Sequence, residues 1–104
     1  MTLPASVIFL PEAEAEIDAS VRWYEGRRVG LGLEFLGVLD RAIARIAEEP
    51  GHFPAWSGDQ RFRQAVLGRF PYVVLFEIRG DVIEIVAVPH GRRRPGFWRE
   101  RLKR

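Results

Sequence analysis

The sequence predicts an α+β protein in the order β-α-α-β-β-β, with an N-terminal helical hairpin packed on one face of a small, antiparallel-rich sheet. Three observations carry this. Apolar residues recur at helical spacing from Ala13 to Ile46, β-rich runs replace that spacing after residue 60, and glycine or proline clusters punctuate the joins.

The first strand is read at residues 7–10, a β-branched and aromatic run halted by Pro11. Pro11 then opens a helix, because proline is pre-organised for the first helical position, and Glu12, Glu14 and Glu16 set negative charge at the positive end of its dipole. Ala13, Ile17, Val21 and Tyr24 form its apolar stripe, with Trp23 beside it, and the helix runs to about Arg28. Gly26, Gly30 and Gly32 allow a tight reversal into a second helix. Leu36, Leu39, Ile43 and Ile46 form the stripe of this helix, which ends at Pro50 and Gly51.

Residues 50–60 read as a loop tucked down by Phe53 and Trp56. Three β segments follow, at 61–67, 71–78 and 82–88, joined by turns at Gly68 and Gly80 that are short enough for a meander. From Gly91 onward half of the fourteen residues are basic, and this stretch reads as a C-terminal tail. At 104 residues a single domain over 1–104 is expected.

The absence of cysteine excludes disulfides and thiolate metal sites, and two histidines without a carboxylate cluster exclude a zinc site, so no metal and no cofactor are expected. Neither a signal-type N-terminus nor a membrane-length apolar run is present, which points to a cytoplasmic protein with no membrane partner. The net charge of +2 conceals segregation: residues 1–60 hold five arginines against ten carboxylates, residues 61–104 eleven basic residues against four. Codon preference explains arginine over lysine but not this separation of sign, which favours a basic face that grips a macromolecule.

Within that face, Arg61 and Arg63 share one side of a strand opposite Phe62, Gln64 and Val66. If Phe62 and Val66 pack on the helices, the two guanidiniums stand on an open sheet face where their donor forks suit phosphate or carboxylate. The alternative is pairing with Glu77 or Glu84 on neighbouring strands. Tyr72 can donate a hydrogen bond or stack, and His90, at the end of the last strand before Arg92, Arg93 and Arg94, is a candidate general base. Structural roles compete with each. No phosphate loop, dinucleotide fingerprint or nucleophile elbow occurs.

The Phe9-Leu-Pro-Glu-Ala13 opening of the first helix, Arg61-Phe-Arg63, Phe70-Pro-Tyr-Val-Val74 and Val86-Ala-Val-Pro-His90-Gly-Arg92, with Trp98 and Arg101 behind, resemble the RelE/ParE superfamily of type II toxin-antitoxin toxins over nearly the whole chain. The resemblance implies a cognate antitoxin that binds and silences the toxin. It also implies one of two targets: DNA gyrase for ParE-like members, or the ribosome with its mRNA for the endoribonucleases of the RelE branch. With Lys103 as its one lysine, the sequence leans to the ParE branch, so it is more a binder than an enzyme. In that reading Arg61, Arg63, Arg69, Arg92, Arg93 and Arg94 bind target or antitoxin; in the ribonuclease reading His90, Arg61, Arg63 and Tyr72 are the catalytic candidates. A non-toxic antitoxin-binding module is the third reading.

Overall fold

A computed structural model describes residues 6–103. Strand β1 (Ser6–Phe9) leads into helix α1 (Pro11–Arg27) and helix α2 (Leu31–Glu48), and a 3₁₀ turn (Pro50–His52) follows. Strands β2 (Ala55–Trp56), β3 (Asp59–Val66), β4 (Val73–Arg79) and β5 (Val82–Ala87) come next, and a C-terminal 3₁₀ helix spans Phe97–Lys103. The sheet order is β1-β5-β4-β3-β2, antiparallel except for β1 against β5. The expected helical hairpin and three-strand meander are both present. The segment read as a loop adds an edge strand, β2.

The helical stripes do what their spacing predicts. Phe35, Leu39 and Ile46 of α2 and Ala13 and Tyr24 of α1 are buried against Ala65, Val74, Phe76, Ile83 and Ile85 of the sheet, forming one core. The reversal between the helices needs Gly30, whose φ of 91° lies where a Cβ is strained. Glu25 completes it: one carboxylate oxygen accepts from Gly30 N at 2.9 Å and the other from Gly32 N at 3.0 Å, satisfying donors that α2 leaves unpaired at its start. Glu25→Ala is therefore expected to cost about 1 kcal/mol, the usual worth of a helix cap, in urea-unfolding measurements.

The sheet's second face is also covered. A bulge opposite Leu75 and Phe76 turns both Val86 and Ala87 to this side, where Phe62, Leu75 and Trp98 join them in a second buried cluster. Trp98, from the 3₁₀ helix, is only 2% exposed. Its ring meets Phe62 edge-on at 4.8 Å between centroids and tilts against Trp56 at 5.1 Å. Trp56 in turn lies so close over Gly58 that a Cβ there would fall 2.2 Å from the indole. The basic C-terminal segment thus packs on the sheet through its aromatics, while Arg92, Arg93, Arg94 and Arg99 lie exposed. No helix among the described residues is long and apolar enough to cross a membrane.

Candidate functional site

Arg61 and Arg63 do not stand on an open sheet face. Ala65 and Leu67, which alternate with them, pack into the helix-side core, whereas Phe62 packs beneath Trp98, so the two faces are the reverse of the expectation. Phe62 is buried between the sheet and the C-terminal indole. Neither arginine pairs with Glu77 or Glu84. Arg61 holds Asp59 through Nη2 at 2.9 Å and lies 5.0 Å from the Phe62 ring centre, and its hydrogen bonds keep the Asp59 carboxyl below the ordinary carboxylate range. Arg63 donates to the carbonyl of Phe53 at 2.6 Å and so anchors the segment after α2.

Glu77 and Glu84 face each other across β4 and β5, an arrangement of like charges that costs stability unless neutralised. Arg79 answers both, at 2.9 Å and 3.2 Å. Arg69 is likewise engaged, sharing the Glu34 carboxylate with Arg28 at 2.6 Å each; Arg69 and then Arg28 hold that carboxyl below its usual value. The basic half of the sequence therefore spends most of its guanidiniums on the protein's own carboxylates and carbonyls.

Arg92, Arg93 and Arg94 are the exception. They lie exposed in the loop after β5, and among the described residues none has a carboxylate within salt-bridge distance. Arg93 lies 3.9 Å over the Phe97 ring, which fixes its direction without neutralising it.

His90 opens this loop. Its Nδ1 accepts the Arg92 backbone N–H at 3.0 Å, which places the ring proton of the neutral form on Nε2. The nitrogen with a free lone pair is thus spent on the turn, and in that neutral form the other nitrogen is a donor. Tyr72 bridges His90 through the backbone and meets its ring edge-on at 5.3 Å. Burial pushes the Tyr24 phenol above its ordinary value, and the neighbouring Tyr72 adds to that shift.

Two features were missed in the sequence. One is a cleft of about 510 Å³ between α1 and the His90 loop, lined by Ala19, Ser20, Trp23, Tyr24, Tyr72 and His90. Trp23, noted only as a neighbour of the helical stripe, is 54% exposed there; a large apolar ring at the edge of a stripe was the available signal. The other is Glu16, which accepts from Val88 N at 3.0 Å and from Arg101 at 3.2 and 3.3 Å, tying α1, the end of β5 and the C-terminal helix together. Its partner lies 85 residues away, so no local signal existed.

The α+β arrangement of a helical hairpin on a mixed sheet is that of a solved structure described as the chromosomal ParDE TA system from P. aeruginosa. The two match at a TM-score of 0.70 with 19% identity, over 83% of this chain and 95% of that one. The chain belongs to the ParE toxin family of type II toxin-antitoxin systems, parDE, whose family model matches residues 7–95. No curated protein sequence matches it significantly.

Proposed function

We propose that this ParE-family toxin inhibits growth by binding an essential cytoplasmic target, DNA gyrase, and that a cognate antitoxin neutralises it. The observation that supports binding over catalysis is the occupation of the catalytic candidates. Arg61 is held by Asp59, Arg63 by the Phe53 carbonyl, and the acceptor nitrogen of His90 by the Arg92 N–H. A general base must offer a lone pair to the proton it removes, and His90 offers Nε2–H instead. Among the basic residues of the second half of the sequence, those left for a partner are in the loop after β5, with Arg92, Arg93 and Arg94 set to meet an acidic segment of the antitoxin or a surface of the target.

Controlled expression without antitoxin, with mRNA integrity and DNA supercoiling read in the same cells, tests this. The expected result is growth arrest with a DNA-damage response and intact transcripts, retained in full by His90→Ala and Arg61→Ala. Cleaved mRNA together with loss of toxicity in folded His90→Ala protein would instead establish the ribonuclease reading, and inert expression the antitoxin-binding module.

A further inference from the structure

The cleft between α1 and the His90 loop combines flat rings with unneutralised cations. Trp23 supplies the exposed ring, and the buried Tyr24 and Tyr72 line the cleft behind it: Trp23 and Tyr24 meet edge-on at 5.1 Å, and Tyr24 and Tyr72 at 6.1 Å. At one end Arg27 stacks over Trp23 at 4.3 Å. At the other the cleft continues into a second hollow lined by Ser20, Tyr72, His90 and Arg93. Arg92 and Arg94 flank Arg93 in the exposed loop, and none of these four arginines has a carboxylate within salt-bridge distance among the described residues.

The carboxylates of the acidic helix α1 do not oppose an anion here. Glu14 and Asp18 line a different hollow with Phe9 and Ile17, and Glu16, at the edge of this one, is bonded to Arg101 and Val88. What the rim presents to a ligand is donors: guanidiniums and the Nε2–H of His90.

We propose that this cleft binds single-stranded nucleic acid, with a base against the Trp23 ring and flanking phosphates on Arg27 and the Arg92–Arg94 loop. An exposed ring between cations suits a single strand held without reading sequence, because every base has a π-face and every linkage a charge. An acidic peptide would meet the same cations, but an extended one also needs an unpaired backbone edge to bond along. The cleft offers none: one wall is the helix α1, and on the other Pro71 and Pro89 lack N–H groups, while their carbonyls already accept from Gly91 and Val73. This inference rests on the His90–Arg94 loop being the working surface, not on the identity of the protein target.

The test is fluorescence anisotropy of a labelled oligothymidylate titrated with the purified full-length protein. Binding is expected to weaken with salt at a log–log slope of about −2 to −3, the value for three or four phosphate contacts on a single strand. Trp23→Ala should weaken it about ten-fold, the worth of one stacked base. The triple variant Arg92→Gln/Arg93→Gln/Arg94→Gln should flatten the salt slope, and Arg41→Gln, an exposed cation on α2, should change nothing. Unchanged far-ultraviolet circular dichroism in each variant secures the comparison.

No binding at low salt would overturn the inference. So would competition by polyglutamate as strong as by oligothymidylate with no effect of Trp23→Ala, since that result assigns the cleft to an acidic peptide. Because this measurement uses purified protein and no gyrase, its failure leaves the proposed toxicity standing, and inert expression in cells leaves this binding standing.

Discussion

Trp98→Ala is expected to destabilise the protein by about 3 to 5 kcal/mol, the range for deleting a large buried aromatic. The indole fills the second face of the sheet, contacting Phe62 and Trp56 and shielding Leu75, Val86 and Ala87. Collapse into the vacancy is limited, because Phe62 and Val86 sit on hydrogen-bonded strands and Trp56 is already closed down on Gly58. A domain of this size has roughly 5 to 15 kcal/mol in total, so a loss of that order removes a third of it or more. Guanidinium unfolding followed by circular dichroism measures it. A change below about 1 kcal/mol would show that the C-terminal helix is dispensable to the fold. Trp23→Ala, by contrast, exposes no core and should stay within about 0.5 kcal/mol.

Breaking the link between Glu16 and Arg101 should cost about 2 to 4 kcal/mol, somewhat less than for a fully buried pair. The two side chains are 19% and 13% exposed. Arg101 reaches both Glu16 oxygens and also donates to the Val86 carbonyl at 3.1 Å, within the bulge. Arg101→Met removes the cation and leaves the carboxylate with the Val88 N–H as its remaining bond among those described here. Arg101→Lys should recover little, since a point ammonium cannot span two oxygens and a carbonyl as the planar fork does. A double-mutant cycle with Glu16→Gln gives the coupling energy directly, and a value near zero would place the stability of this corner in the Trp98 packing alone.

The contrast between these two sites shows which parts of the molecule were legible beforehand. The stripes of α1 and α2, with Ala13 and Tyr24 in one and Leu39 and Ile46 in the other, were readable because helix burial repeats locally, every three or four residues. The meander was readable because its links are too short for any other pairing. Tyr72 and His90 were noted because each stands at a strand end, and the structure pairs them.

Which sheet face received the helices was not readable, because Phe62 and Ala65 each give the period-two pattern an apolar residue and the choice depends on what arrives from far along the chain. Where the segment after Gly91 packs was not readable for a related reason. Its arginines dominate the composition, but the two aromatics Phe97 and Trp98 govern where it packs.

The sequence by itself determined the helical hairpin, the first strand and the meander, their order and the family, since periodicity, turn chemistry and local motifs are properties of neighbouring residues. It also located the excess of positive charge in the second half of the chain. Only the tertiary structure decided which of those charges remain free. Arg61, Arg69, Arg79 and Arg101 meet carboxylates, two of them from distant elements, while Arg92, Arg93 and Arg94 meet none among the described residues. Charge is counted along a chain, but neutralisation depends on distances of a few ångströms across the fold, and those distances leave the unneutralised cations of the second half in one loop beside one aromatic cleft.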